Sequence, residues 1–497
     1  MYIFAKNIFM KKIGYKIILL LFNLLIISSC IKDIDLYKGK TSSTTTVAYS
    51  SYIYPFKDEI KDATAEITIK SNVVIDFNQI ASEIPFLKYN KSWLLMLTQD
   101  DCKHAAYCRT WAAINGKPIS SSDLFPTTPN SHELYYDAEQ LEADDLPPTV
   151  IPAGETLGCT DGNGNEVRFA ITTTLSPESS WMNAETNVNR GFTDNYYRFF
   201  MKSGLTWNDV IEMLNYGTGI AFHDVNTSDV YTSVDILNHY KIAQDTILKR
   251  LSGRGCKMLA EPNGNKTYVT AALQYPEIQT MVAQSGTVKL YPYKVNGDLK
   301  GTLLNRIFND DPEYFKKIIE TQLQLPKTER EAIHIGVHGT GNSWIKFLQW
   351  VNITYGKGGD DSVWFPSQEE YYEYNYYRIH SKISIMQVDQ YTIKLIIYLP
   401  SEQYFYYPSI SINLTGLQKE NISVSSNSIV TGLSYGNYGN GITLNVDCRK
   451  SLVEHATYFV ERFEKDKTNN LKKSDAAYFV NMLKESDIKK ELINRIE

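Results

Sequence analysis

Between residues 89 and 378, continuous apolar runs alternate with segments in which apolar residues recur at helical spacing. Trp93 to Leu97 is an uninterrupted apolar run, which is typical of a parallel strand buried on both faces. Residues 207–216 and 233–252 each place apolar side chains on one helical face, and each segment is followed by a glycine that can end a helix. Strands that alternate with helices predict an α/β fold with a parallel sheet.

Four of the predicted strands are followed by polar residues that could perform chemistry. These residues are Asp100 and Asp101, His223, Glu261 and Asn263, and His338. By itself, a pair of aspartates is typical of a turn, and a single histidine after a strand is usually structural. In a parallel β/α barrel, however, the carboxyl ends of the strands share one face, and that face holds the active site. We therefore expect these side chains to converge.

The chain outside this region has other patterns. After residue 380, apolar and polar residues alternate, which predicts antiparallel strands over 380–450, most simply a small β-sandwich. Residues 51–88 contain short β-like runs and form a separate N-terminal β segment in this interpretation. Residues 115–165, which lie inside the β/α region of 89–378, are rich in Pro, Gly, Ser and Asp and look like an insertion.

The C-terminal residues return to helical spacing. Apolar residues recur with this period over 451–465 and again over 474–495, so we expect residues 451–497 to form C-terminal helices.

The first 29 residues have the pattern of a signal peptide. Lysines precede an apolar run from Ile17 to Ile27, which is short for a membrane span. The run ends in Ile-Ser-Ser-Cys, which resembles the lipobox of bacterial lipoproteins, where the cysteine is lipidated and becomes the mature N-terminus. We expect removal of residues 1–29, a polar tether over 30–50, and a lipid anchor at Cys30 that holds the protein in the cell envelope, periplasmic or surface-exposed. An ordinary signal peptide with a chance cysteine is the alternative.

Length and charge exclude some classes of protein. A chain of 497 residues is too long for one small domain, and 43% hydrophobic residues permit a sizeable core. The 50 basic and 56 acidic residues give a net charge of −6. Because a nucleic-acid binder needs a basic face, we expect no nucleic-acid partner. The cysteine spacing fits no zinc pattern.

Several segments resemble the motifs of polysaccharide deacetylases, carbohydrate esterase family four. Residues 98–101 read Thr-Gln-Asp-Asp and resemble the first motif, Thr-Phe-Asp-Asp. Residues 207–223 resemble the helix and strand that lead to the second motif, and residues 255–264 resemble the third, a strand followed by Pro-x-Gly. His338 ends its strand where the fifth-motif histidine does. Residues 342–344, which end in Trp344, and residues 361–374 together resemble a segment of one bacterial deacetylase subgroup.

This resemblance covers about residues 90–378 and implies both a fold and a chemistry. The family has a distorted (β/α) barrel and hydrolyses an acetyl amide or ester of a sugar with a divalent metal ion, which would be zinc, nickel or cobalt here. Carried over by position, the implied roles are general base for Asp100, metal ligands for Asp101 and His223, general acid for His338, and substrate contacts for Glu261, Asn263 and Trp344.

The sequence departs from the family at two motif positions. Thr227 stands where the second motif has another metal-binding histidine, and Asp229 and His104 are conceivable substitutes. Ala260 stands where the third motif has an arginine that orients the base. Catalytic metal sites use about three protein ligands, so a third ligand and a new partner for Asp100 are needed.

These features favour a membrane-tethered, metal-dependent deacetylase that acts on an acetylated glycan. The first alternative is a deacetylase fold that has lost catalysis and binds a glycan, which the changes at Thr227 and Ala260 suggest. The second alternative is a purely structural lipoprotein, although that function leaves the polar strand ends without a role.

Overall fold

The computed structural model of the chain describes residue 54 and residues 62–120, 150–151, 154–183, 204–224 and 232–497. All of them belong to the compact unit that spans Val47–Glu497. The predicted signal peptide (1–29), the predicted tether (30–50) and part of the predicted insertion lie outside the described residues. Among the helices within the described ranges, none is both long enough and apolar enough to cross a membrane.

Strands and helices alternate through the middle of the chain, and strands then follow one another. In chain order, the strands of the described residues are β1 (Ala63–Ser71), β2 (Ser82–Glu83), β3 (Trp93–Gln99), β4 (Ile119–Ser120), β5 (Val150–Ile151), β6 (Gly158–Thr160), β7 (Glu166–Arg168), β8 (Thr172–Thr174), β9 (Gly219–Ala221), β10 (Met258–Ala260), β11 (Thr280–Ala283), β12 (Leu303–Asn305), β13 (Ile307–Phe308), β14 (Ile333–Val337), β15 (Val363–Trp364), β16 (Lys382–Asp389), β17 (Thr392–Leu399), β18 (Ser409–Thr415), β19 (Ile422–Ser426), β20 (Gly432–Tyr438) and β21 (Gly441–Asp447).

The helices lie mainly between the parallel strands and at the C-terminus. In chain order, the α-helices longer than one turn among the described residues are α1 (Trp207–Asn215), α2 (Ser233–Arg250), α3 (Lys266–Ala272), α4 (Pro312–Leu323), α5 (Asn342–Tyr355), α6 (Gln368–His380), α7 (Leu452–Glu464), α8 (Asn470–Asn481) and α9 (Asp487–Ile496). A π-helix, Ala106–Trp111, follows β3. The predicted helix over 474–495 is two helices, because Ser486 begins a new one by accepting a hydrogen bond from the backbone of Lys489.

The strand β3 lies at the centre of a parallel sheet with the order β13-β14-β3-β8-β9, and β15 pairs with its first residues. A second parallel sheet has the order β10-β11-β12. A single bridge between Phe222 and Leu259 links the two sheets, and Arg306 alone separates β12 from β13. All of β3 is buried, as its continuous apolar run predicts. The α/β class is confirmed, whereas the distorted barrel stays a prediction.

The pairs β4-β5 and β6-β7 are small antiparallel sheets, and eight other antiparallel strands form two larger sheets that combine distant parts of the chain. Their orders are β16-β17-β1-β19 and β2-β18-β21-β20. The strand β1 runs antiparallel to β17, from Ala63 opposite Leu399 to Lys70 opposite Thr392. The N-terminal β segment therefore shares its sheets with residues 380–450, and a sandwich of the two sheets stays a prediction.

Candidate functional site

The carboxyl ends of the parallel strands bring four of the predicted site residues together. Asp100 directly follows β3, and its backbone N–H donates to the carbonyl of Val337 at the end of β14 over 2.8 Å. His338 is the next residue after that strand. The Nε2 atom of His223 lies 3.7 Å from Asp100 Oδ2 and 3.4 Å from Asp101 Oδ1. Parallel strand ends meet on one side of a sheet, so the expected convergence of these side chains is confirmed.

Arg306 holds the carboxylate of Asp100 with two parallel hydrogen bonds. Its Nη1 and Nη2 atoms donate to Oδ1 and Oδ2 of Asp100, both over 2.7 Å, and Nη2 also donates to the carbonyl of Glu261 over 3.0 Å. Both side chains are buried, with Asp100 2% exposed. This bidentate pair fixes the plane of the carboxylate and compensates its charge in a site with little water.

Arg306 pairs with Asp100 in place of the third-motif arginine, whose position is held by Ala260 in this chain, and the sequence analysis missed it. It stands between β12 and β13, two strands away in the chain from the position of Ala260. The available signal was a charged residue inside the otherwise strand-like run of residues 303–308. A buried arginine at such a place needs a carboxylate partner, although the run itself does not say which one.

Asp101 lies between two histidines. Its backbone has a φ of +62°, which turns it out of the line of β3. Its Oδ1 is 3.4 Å from Nε2 of His223, and its Oδ2 is 3.5 Å from Nε2 of His338. Burial acts to raise the pKa of Asp101, but the hydrogen bond from His223 and the charge of His338 outweigh it and lower the pKa to about 2. Asp101 is thus an ionised carboxylate at neutral pH.

The imidazole of His223 is oriented by the backbone. Its Nδ1 donates to the carbonyl of Ala260 over 2.8 Å, which leaves Nε2 directed at the two aspartates. This is the arrangement in which a backbone carbonyl fixes the tautomer of a metal-binding histidine. Burial acts to lower the pKa of His223, but Asp100 and the hydrogen bond with Asp101 raise it above its usual value.

His338 is the more accessible histidine, with its side chain 43% exposed. Its ring packs edge-on against Phe308, with the ring centres 4.6 Å apart. Phe308 belongs to the strand that begins just after Arg306, so one short segment contacts both Asp100 and His338. A half-exposed imidazole beside a half-exposed carboxylate can exchange a proton with a bound molecule and with solvent.

Asp101 Oδ1 and His223 Nε2 lie as far apart as two ligand atoms of one metal ion would. Ligands bound at about 2.0–2.1 Å in a tetrahedron are separated by about 3.3 Å, close to the 3.4 Å between Asp101 and His223. Within the described ranges, however, no group of three or more His, Cys, Asp or Glu residues forms a metal site. Residues 225–231, which contain Thr227 and Asp229, lie outside those ranges. His104 is buried with its Nε2 3.7 Å from Asp209.

The three residues that the resemblance implies as substrate contacts have different surroundings. Asn263 is exposed, with a φ of +51°, in the turn after β10. Glu261 is fully buried and pairs through Oε1 with Lys266, whose side chain is partly exposed. Trp344 corrects the expectation: it is 2% exposed, packs on Phe315 and donates its indole N–H to the carbonyl of Asp310. An interior ring cannot stack on a sugar, so we do not retain Trp344 as a substrate contact.

Comparison with known protein families gives a match over most of the chain. A family described as "Putative polysaccharide deacetylase" matches residues 65–497. The matched region includes the parallel strands, the site described above and the antiparallel sheets. No curated protein matches the chain.

Proposed function

Since this chain belongs to the polysaccharide deacetylase family, we propose that it is a membrane-tethered, metal-dependent deacetylase that removes acetyl groups from a glycan. The observation that supports this most strongly is the buried pair of Asp100 and Arg306 beside Asp101, His223 and His338. A carboxylate that is oriented by an arginine, next to a second carboxylate that contacts two imidazoles, is the equipment of a hydrolase that uses general acid–base catalysis.

We also propose the distorted barrel as the scaffold of this site. The bridge between Phe222 and Leu259 connects the edges of the two parallel sheets at one place. Strands β12 and β13, which are separated only by Arg306, pair with β11 and β14 respectively. These two links are what a distorted ring of parallel strands would need, and they support the proposal.

In the proposed reaction, Asp100 is the general base. The two hydrogen bonds from Arg306 occupy one lone pair on each carboxylate oxygen, so each oxygen keeps another that can accept a proton. Asp100 takes a proton from the water that attacks the acetyl carbon. Arg306 keeps the carboxylate in place during this step.

Asp101 and His223 are the proposed ligands of a divalent ion, zinc, nickel or cobalt. When bound, such an ion polarises a carbonyl and lowers the pKa of a coordinated water. The ionised state of Asp101 and the backbone hydrogen bond of His223 prepare both side chains for this task. Because Thr227 replaces the second-motif histidine, Asp229 is the candidate for a third ligand.

His338 is the proposed general acid. Its side chain reaches solvent and lies 3.5 Å from Oδ2 of Asp101, whereas His223 contacts the other oxygen, Oδ1. It can give a proton to the departing amine or hydroxyl of the sugar, which needs one to leave. The lipid anchor at Cys30 would keep this reaction at the envelope surface, where acetylated glycans are found.

Metal content tests the proposed function. We expect the purified full-length chain to bind one equivalent of zinc, nickel or cobalt, and expect Asp101→Ala and His223→Ala to lose it, because each variant removes one donor. The measurement is elemental analysis after equilibrium dialysis. Asp361→Ala is the control, since Asp361 pairs with Lys91 near the opposite ends of the strands. A wild-type chain that binds no metal at saturating concentration would contradict the proposal and favour the glycan-binding alternative.

A change of Arg306 to lysine should separate charge from geometry. Lysine keeps the positive charge but cannot make two parallel hydrogen bonds, so Asp100 would lose its fixed orientation. We expect Arg306→Lys to lower kcat for acetate release by on the order of 100-fold. Arg449→Lys is the matched control, because Arg449 also holds an aspartate, Asp447, through several hydrogen bonds away from the site. Equal kcat values for the two variants would show that Arg306 does not orient the base.

A further inference from the structure

A closed ring of buried hydrogen bonds joins the end of β3, the π-helix and the loop that begins with His338. The side-chain amide of Gln99 donates from Nε2 to the carbonyl of His338 over 3.1 Å. The hydroxyl of Thr110 donates to Oε1 of Gln99 over 2.9 Å and lies 2.7 Å from the hydroxyl of Thr340. Gln99, Thr110 and the backbone from His338 to Thr340 therefore form a ring.

The direction of each hydrogen bond in this ring is determined. Because Oε1 of Gln99 can only accept, Thr110 must be its donor. A hydroxyl has a single proton, so Thr340 must donate to Thr110. Arg109 adds another bond from the π-helix, with Nη1 donating to the carbonyl of Thr340 over 3.3 Å. The loop is thus held through the backbone carbonyls of His338 and Thr340 and through the hydroxyl of Thr340.

The ring is buried, whereas the side chain of His338, whose backbone carbonyl belongs to the ring, is half exposed. Gln99 and Thr110 are fully buried, and Arg109 and Thr340 are 1% exposed. Buried polar groups are costly unless they are paired, so these residues favour one arrangement of the loop over others. The π-helix supplies both Arg109 and Thr110, and single π-turns of this kind are frequent at functional sites.

We infer that Gln99, Thr110 and Thr340 are positioning residues, which hold the backbone of residues 338–340 so that the imidazole of His338 stays beside Asp101. The consequence for catalysis rests on the proposed function. Gln99 is the last residue of β3 and directly precedes Asp100. The end of this strand therefore positions the base, Asp100, through the peptide chain, and it positions the acid, His338, through the hydrogen bond from Gln99 to the backbone of His338.

The test compares Thr110→Val with Thr110→Ser. Valine keeps the shape of threonine but removes the hydroxyl, whereas serine keeps the hydroxyl. Thr443→Val is the control, because Thr443 is also buried and accepts an amide hydrogen bond from Asn90 in the antiparallel region. Thr340→Val provides a second way to break the same ring, should the first variant fail to fold.

Two readouts are needed. The backbone N–H groups of Trp344 and Ile345 donate to the carbonyl of Gly341, so their hydrogen exchange reports on the loop. We expect Thr110→Val to accelerate this exchange about tenfold, since a buried hydrogen bond is lost. We also expect kcat for acetate release to fall about tenfold in Thr110→Val, with KM within about twofold of wild type. Thr110→Ser should restore both the exchange rate and kcat.

The outcomes distinguish this inference from the proposed function. Unchanged exchange in Thr110→Val, or equal acceleration in Thr443→Val, overturns the positioning role whatever the activity. Faster exchange with an unchanged kcat in an active enzyme also overturns it. A wild-type chain without acetate release contradicts the proposed function, while the exchange measurement still decides whether the ring holds the loop. Combined Thr110→Val and Thr340→Val should not exceed either single effect, since both break one ring.

Discussion

Asp100→Asn is expected to lower kcat for acetate release by about 10²- to 10⁴-fold, the usual contribution of a general base. The amide has nearly the same shape as the carboxylate, and its oxygen can still accept from Arg306. It cannot take a proton from water at neutral pH. The measurement is the steady-state rate of acetate release, with KM and metal content determined for the same preparation.

The control for this change is Asp361→Asn. Asp361 is also an ion-paired aspartate, with Lys91 at 2.7 Å, but it lies near the amino ends of the parallel strands. Its φ of +55° is a conformation that asparagine tolerates, so the substitution adds no backbone strain. Activity of Asp100→Asn close to that of Asp361→Asn would exclude Asp100 as the base.

Asp475→Ala is expected to reduce the free energy of unfolding by about 3–5 kcal/mol. Asp475 lies in α8 and is 2% exposed. Its carboxylate pairs with Lys117, accepts a hydrogen bond from Arg168 over 2.7 Å and accepts another from the hydroxyl of Tyr216 over 2.7 Å. Removal of the carboxylate takes this counter-charge from the buried Lys117 and leaves Arg168 with Glu166, 3.5 Å from its Nε. Urea unfolding measures the loss.

The same cluster predicts a dependence on pH. Burial acts to raise the pKa of Asp475, but Lys117 and Arg168 outweigh it and lower the pKa to about 2. The stability that this group contributes is therefore present above pH about 4, the pKa of an unfolded aspartate, and is lost as the pH falls towards 2. Glu485→Ala is the control, because its side chain is 77% exposed and its pairing with Lys489 is worth less than about 1 kcal/mol. Equal losses in the free energy of unfolding for Asp475→Ala and Glu485→Ala would refute the role of this buried cluster in stability.

The site residues that could be predicted from sequence are those at strand ends. Asp100, His223 and His338 each follow an apolar run, and the rule that parallel strand ends share one face is enough to group them. Arg306 could not be grouped with them in this way. It lies 206 residues from Asp100 in the chain, and residues 303–308 were not predicted as a strand, so no strand end marked it.

The remaining differences between the expected and the observed structure come from long-range packing. The pairing of β1 with β17 joins residues more than 300 positions apart, and local alternation of apolar residues says nothing about which strand is the neighbour. Trp344 was expected to contact substrate because its position resembles a family segment. It lies in an apolar helix, α5, and burial of its ring against α4 explains its place there.

The most direct test of the account is acetate release by the purified full-length chain from N- and O-acetylated glycans, before and after treatment with a chelator. We expect release by the untreated chain, loss of release after chelation, and recovery with one equivalent of zinc, nickel or cobalt in the wild type but not in Asp101→Ala. Release that is indifferent to the chelator would contradict metal dependence. No release from any acetylated glycan, with metal bound, would contradict the assignment of a deacetylase.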